Sequence, residues 1–203
     1  MRITRIEPQN NSERVNVYID GEFAFGLMRE ILYKYGLSEN MEVDREFIDE
    51  VLLEEEWLKA KDKALKFLSY RQRSQKEIED KLKKEGFSDE IIEKTVDFLK
   101  SYNLIDDIAF AKNFMMDKSN INKYGPERIR YELYMRGISK DIIDEVLEDY
   151  GDEYSIALDL AKKKVKSYKG NDRNAIYRKL GTFLQSKGFS YECISKVLRE
   201  LVK

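Results

Sequence analysis

Apolar positions recur at helical spacing through most of the chain, and one arrangement of them occurs three times. Residues 74–99 read S-Q-K-E-I-E-D-K-L-K-K-E-G-F-S-D-E-I-I-E-K-T-V-D-F-L. A shift of 51 residues carries Ile78, Leu82, Gly86, Phe87, Ser88, Ile92 and Val96 onto Ile129, Leu133, Gly137, Ile138, Ser139, Ile143 and Leu147. A second shift of 51 reaches Leu180, Leu184, Gly188, Phe189, Ser190, Ile194 and Leu198. A fixed period of this kind signals a tandem architecture of supersecondary units. Each copy predicts a helix, a turn and a helix. The glycine closes the first helix in the left-handed conformation. The serine two residues later caps the second through its hydroxyl oxygen. The residue between them is placed to staple onto the fourth position of the new helix. Ser74 and Glu77 add a capping box to the first copy.

Upstream the period changes to two. Residues 2–7 alternate and end at Pro8, Val15, Val17 and Ile19 alternate with polar neighbours, and Asp20-Gly21 separates them from Phe23 and Phe25. Asp-Gly between alternating runs is a hairpin signal. Strands are predicted near 2–7, 14–19 and 22–26, followed by helices near 28–35 and 44–55. Asp44 is the predicted cap of the second, and Phe47, Ile48, Val51 and Leu52 its apolar stripe. From Trp57 onward the pattern is helical throughout. Trp57, Ala60, Ala64, Leu65 and Leu68 form a stripe ending near Tyr70. Ile108, Phe110, Ala111, Phe114 and Met115 line a helix that Asp106 caps. Pro126 opens the next, in the first turn where its missing N–H costs nothing. Helices are expected near 126–136 and 139–149, then near 152–168, 172–187 and 190–202, with Asp172 capping the middle one of the last set. The expected fold is mostly α, with three tandem three-helix repeats in an elongated, solenoid-like array behind a small N-terminal β-hairpin/helix module. The boundaries are 1–56, 57–102, 103–150 and 151–203.

Composition narrows the function classes. With 42% hydrophobic and 37% charged residues, the chain reads as a soluble, helix-rich protein. No run of 18 apolar residues is present, and the N-terminus lacks the apolar core of a signal peptide, so a cytoplasmic, membrane-free protein is expected. Histidine is absent, which removes histidine-based triads, histidine metal sites and the commonest general base. The single cysteine, Cys193, stands where the other copies have Ile91 and Ile142, and reads as a core residue. Neither phosphate-binding glycine motif occurs. Catalysis, metals and cofactors are therefore not expected.

Charge adds a direction. Residues 1–56 carry 6 basic and 14 acidic side chains, whereas residues 151–203 carry 12 basic and 6 acidic ones. The helix after the turn is acidic in the first two copies, with Asp89, Glu90, Glu93 and Asp97 in one and Asp141, Asp144, Glu145, Glu148 and Asp149 in the other. That opposes a standard helix-turn-helix, whose second helix enters a groove lined by phosphates. Basic residues gather instead on or beside the helix before the turn: Arg71, Arg73 and Lys81, then Arg128, Arg130 and Arg136, then Arg178, Lys179 and Lys187. Lys162, Lys163 and Lys164 form the densest local cluster. Singly these fit a solvated helix face; as a set they favour an acidic protein surface or a phosphate backbone. Thirteen tyrosines and ten phenylalanines leave room for base stacking as well as core packing.

Three runs carry a family resemblance: A-L-K-F-L-S-Y-R-Q-R-S-Q-K-E-I-E-D-K-L-K-K-E-G-F (64–87), L-I-D-D-I-A-F-A (104–111) and K-Y-G-P-E-R-I-R-Y-E-L-Y-M-R-G-I (123–138). Together they resemble the RecX regulatory proteins of bacteria, over about residues 57–200. The sequence departs from that pattern at Ile108-Ala109, where a charged pair is usual, and at Ser186-Lys187, where arginines are usual. The resemblance implies a non-enzymatic, monomeric protein that binds the RecA filament on single-stranded DNA. Such a protein lodges in the filament groove and modulates, chiefly by inhibition, filament assembly, strand exchange and ATP hydrolysis in recombination, DNA repair and the SOS response. On this reading the basic residues named above are the contact set, with weak direct DNA binding as a second activity. The alternative is a helical nucleic-acid-binding protein acting without RecA.

Overall fold

A computed structural model describes residues 1–168 and 172–202. The chain divides into two compact units, residues 1–71 with 79–101, and residues 72–78 with 102–203.

In the first unit, β1 (Ile3–Pro8), β2 (Arg14–Ile19) and β3 (Glu22–Met28) form an antiparallel meander in chain order. Asp20 and Gly21 both take positive φ, 50° and 91°, as a two-residue hairpin turn with matching twist requires. Helix α1 (Arg29–Lys34) follows, then α2 (Arg45–Leu68), whose cap Asp44 accepts the Phe47 N–H at 2.8 Å. Ile3, Val15, Val17 and Leu27 from the sheet pack with Ile31, Val51 and Leu58 from the helices.

Here the structure corrects the sequence reading. The two helices expected at 44–55 and from Trp57 onward are one helix of 24 residues, and the boundary expected after residue 56 falls inside it. No glycine or proline interrupts it, and its buried positions Val51, Glu54, Glu55 and Leu58 keep one unbroken helical stripe. Two of those positions are glutamates, which hid the continuity. Their carboxylates are engaged. Glu55 accepts the Met28 N–H at 2.7 Å and pairs with Arg14 and Lys59, each at 3.0 Å. Glu54 pairs with Lys34 of α1 at 2.5 Å and with Lys94 at 3.1 Å. A buried carboxylate is tolerated only with such partners. Leu52, Leu65 and Ile108, assigned to apolar stripes, are 37%, 36% and 40% exposed.

The first three-helix set is α2, α3 (Gln75–Lys84) and α4 (Asp89–Ser101). Trp57 of α2 meets Phe98 of α4 edge-to-face at 6.0 Å, with the Lys94 ammonium 4.3 Å from the indole. The first turn of α3 belongs to the second unit. There α5 (Asp107–Asn120), α6 (Pro126–Tyr134) and α7 (Lys140–Glu148) enclose Phe110, Met115, Ile129, Leu133, Ile143 and Val146. Next come α8 (Glu153–Val165), a 3-10 turn (Lys166–Tyr168), α9 (Arg173–Lys187) and α10 (Tyr191–Leu201). They enclose Ala157, Ala161, Leu180, Leu184, Phe189, Ile194 and Leu198. Of the apolar residues that define the repeat, all are buried except Phe87 and Leu147, which are half-buried, and the three turn glycines take φ of 92°, 77° and 85°. The predicted serine caps form: Ser88, Ser139 and Ser190 accept the N–H groups of Ile91, Ile142 and Cys193 at 3.3–3.4 Å.

Candidate functional site

The helices that carry the basic residues meet end to end within the second unit. At the N-terminus of α6 the cap is Gly125, which has no side-chain oxygen, and Pro126 has no N–H. The cap comes from the third repeat: Gly125 N–H donates to the Lys187 carbonyl at 2.8 Å and Glu127 N–H to the Gly188 carbonyl at 3.1 Å. At the other end of α6 the Arg136 carbonyl accepts the Ser74 hydroxyl at 2.7 Å, ahead of α3. Ser74 also completes its capping box with Glu77, each bond 3.3 Å. Residues 74 and 136 are the repeat equivalents of 125 and 187, so one junction is built twice. In both, the negative end of one helix faces the positive end of the next.

This junction uses much of the predicted contact set. Arg128 bonds Glu132 at 3.2 Å and the Ser186 carbonyl at 2.9 Å, and lies 3.9 Å over the Tyr124 ring. Lys187 donates to the Asn122 carbonyl at 3.0 Å. Arg136 donates to the Glu132 carbonyl at 2.6 Å and stacks on Phe114 at 4.6 Å. Arg130 pairs with Asp144 of α7 and holds that carboxyl below the usual aspartate range. In the first unit Lys81 pairs with Glu85, which Lys63 also reaches at 3.3 Å; the two lysines hold that carboxyl below its ordinary value. Arg71 is exposed and Arg73 half-buried, ahead of α3.

The third repeat differs. Lys162 and Lys163 are exposed in the last turn of α8, and Lys164 lies over the rings of Tyr168 and Phe183, at 5.6 and 5.2 Å. Arg178 and Lys179 are exposed on α9, with Lys179 5.9 Å from the Tyr168 ring. Lys164, Arg178 and Lys179 line one open groove of about 660 Å3 with Tyr168, Thr182 and Phe183. Sequence reasoning named its cations and missed its aromatic floor. The signal available was Tyr168, four residues after Lys164, followed by Phe183 four residues after Lys179.

The molecule is therefore a tandem three-helix-repeat protein with a β-sheet module at its N-terminus and an open basic groove in its last repeat. Four family models match in order: Regulatory protein RecX N-terminal domain over residues 1–44, and the first, second and third three-helix domains of RecX over 60–99, 106–147 and 151–198. The chain belongs to the RecX regulatory protein family. It is 39% identical to a Regulatory protein RecX of Clostridioides difficile (strain 630), covering 98% of this chain and 95% of that one. With a Regulatory protein RecX of Clostridium perfringens (strain 13 / Type A) it shares 37%, covering 98% and 96%. Its fold is similar to a crystal structure of regulatory protein RecX, with a TM-score of 0.76 at 29% identity over 98% of both chains. A RecX structure from Lactobacillus salivarius gives 0.65 at 30% identity, over 72% of this chain and 96% of that one. Among the described residues no helix is long and apolar enough to cross a membrane.

Proposed function

We propose that this protein regulates the RecA recombinase without catalysing a reaction itself. It binds the groove of the RecA filament on single-stranded DNA in the cytoplasm and lowers filament assembly, strand exchange and ATP hydrolysis. The observation that carries this reading is the 36–39% identity, over nearly the whole chain, to proteins named regulatory protein RecX. A ligand of this kind acts through its differential affinity for two filament states, and needs no active site. Partner contact is assigned to Arg71 and Arg73 before α3, the Lys162–Lys164 cluster, and Arg178 and Lys179 on α9. Arg128, Arg130, Arg136, Lys187 and Lys81 support it by holding helices in place.

The test is RecA ATP hydrolysis on single-stranded DNA while this protein is titrated, with a naked-DNA binding control at the same salt. Inhibition at well below one molecule per RecA protomer, without matching occupancy of free DNA, is the expected result. No response, or one accounted for by competition for free DNA, would overturn the reading.

A further inference from the structure

The turn that closes α3 belongs to the same set as the two turns that build the junctions, yet it is open. In repeat register, Glu85, Gly86 and Phe87 correspond to Arg136, Gly137 and Ile138 and to Lys187, Gly188 and Phe189. The three turns share one backbone: the N–H groups of Phe87, Ile138 and Phe189 donate to the carbonyls of Leu82, Leu133 and Leu184 at 3.2–3.3 Å. Their surroundings differ. The first turn of α6 lies over Gly188, where an added Cβ would come within 2.3 Å of Arg128, and the first turn of α3 lies over Gly137, where it would come within 2.4 Å of Lys76. Over Gly86 it would meet nothing within 4 Å. The next residue records the same difference: Ile138 and Phe189 are 2% and 3% exposed, whereas Phe87 is half-buried. The carbonyls of Lys187, Gly188 and Arg136 each receive a helix head. Among the described residues no N–H or hydroxyl reaches their counterparts on Glu85 and Gly86.

The two covered turns show what fits. Each holds the N-terminal turn of a helix with a small cap, Ser74 or Gly125, and a base among its first three residues, Lys76 or Arg128, set over the glycine. The negative end of α3 favours the positive end of such a helix, and the half-buried Phe87 ring adds apolar surface beside it. A second copy of this chain has no equivalent head to offer. The heads of α3 and α6 are engaged within the chain itself. In α9 the position equivalent to Gly125 is Ile176, inside the helix, where its N–H already donates to the Asp172 carbonyl at 3.0 Å.

We propose that the Glu85-Gly86-Phe87 turn docks the N-terminal turn of a helix from another protein, one with a glycine or serine cap and a lysine or arginine among its first three residues. The first N–H groups of that helix donate to the Glu85 and Gly86 carbonyls, as those of Gly125 and Glu127 donate to Lys187 and Gly188. Recognition is therefore by main chain and shape, with the incoming base lying across the bare face of the glycine. The inference goes beyond the RecA reading and does not rest on it.

The probe is a peptide of residues 123–135 of this chain, carrying I129A and L133A to remove its core face and followed by two E-A-A-A-K segments that hold the helix. Titrated to about 2 mM into the isotope-labelled full chain, it is expected to give saturable NMR shifts centred on the amides of Glu85 to Ser88. Gly86→Asn fills the space over the turn, and asparagine tolerates the left-handed conformation. It is expected to weaken binding by about tenfold or more, the worth of two backbone hydrogen bonds. Gly86→Ala, which adds only the Cβ, acts in the same direction. E127P in the peptide removes one head N–H and leaves the chain untouched, for a loss of about fivefold. Circular dichroism and urea unfolding check that each chain variant folds. Three results would each overturn the proposal: no saturable shift, unchanged affinity in Gly86→Asn, or shifts confined to the Gly137 and Gly188 turns. Self-association of the chain that Gly86→Asn abolishes would overturn it too, by assigning the turn to a second copy.

Discussion

The three turn glycines are equivalent in sequence and in φ, but their surroundings differ, and alanine substitution separates the two contributions. At Gly86 a Cβ would meet nothing within 4 Å. Alanine there bears only the left-handed conformation, roughly 1–2 kcal/mol. At Gly137 a Cβ would come within 2.4 Å of Lys76 Cδ and 2.5 Å of its Cβ, and at Gly188 within 2.3 Å of Arg128 Cβ and 2.5 Å of its backbone nitrogen. An atom forced into such a packed contact adds about 1–3 kcal/mol. At Gly188 the clash is with backbone, so the turn must shift and endanger the two caps it supplies to α6, each worth about 1 kcal/mol net. The expected order of destabilisation is Gly188→Ala, then Gly137→Ala, then Gly86→Ala, spanning about 1 to 5 kcal/mol. Gly125 isolates the contact term. Its φ is an ordinary −76°, yet a Cβ would sit 2.3 Å from the Gly188 carbonyl oxygen, so alanine there tests the junction without conformational cost. Urea unfolding followed at 222 nm measures all four. Equal losses at Gly86 and Gly188, or none at Gly125, would refute the end-to-end junction.

Two further expectations concern buried ionisable groups. Glu55→Gln should cost about 2 kcal/mol or more in urea unfolding, because it removes the carboxylate that Arg14, Lys59 and the Met28 N–H share. For Glu54, burial raises its pKa but the bonds to Lys34 and Lys94 outweigh it, so the folded value lies below the ordinary one. Its stabilisation is present above the ordinary glutamate pKa of about 4.3 and is lost as pH falls through the lowered value, so Glu54→Gln should flatten the acid limb of a stability–pH curve. Burial, with the nearby Glu153 and Asp152 carboxylates, pushes the Cys193 thiol up to about 11. Relative to an ordinary value of 9.0, its thiolate fraction at pH 8 is about a hundredfold lower, and alkylation by iodoacetamide should be slow until urea unfolds α10.

Much of the fold was legible because the repeat is written in residues with few conformational options. Glycine at a left-handed position, serine at a cap and a β-branched or aromatic residue between them define a helix–turn–helix with no tertiary information. The hairpin was legible for the same reason, from Asp20-Gly21. What the sequence hid was tertiary. Helix α2 looked like two helices because Glu54 and Glu55 occupy its buried stripe, and nothing local says that Arg14, Lys34 and Lys94 will neutralise them. Asp106 was readable as a cap, and it accepts the Ile108 and Ala109 N–H groups at 2.8 and 3.0 Å. Its neighbour Asp107 was not, because its partner is the Gln75 N–H at 2.8 Å, 32 residues upstream.

The basic residues show the same division in sharper form. By composition Arg128, Arg130 and Arg136 are indistinguishable from Arg178, Lys179 and Lys164, yet the structure gives the first three internal work. The cause lies at the ends of α6. A helix that begins Gly-Pro cannot cap itself, so the next repeat must supply carbonyls, and the approach of those carbonyls brings Arg128 against Ser186 and Lys187 against Asn122. Helix α9 begins with Asp172, which caps it from within through the Ala175 N–H at 2.8 Å. Its other end nevertheless enters a junction, where Lys187 gives its carbonyl to the Gly125 N–H and its ammonium to the Asn122 carbonyl. A self-cap alone does not keep a helix out of a junction, since Ser74 caps α3 through the Glu77 N–H and still donates its hydroxyl to the Arg136 carbonyl.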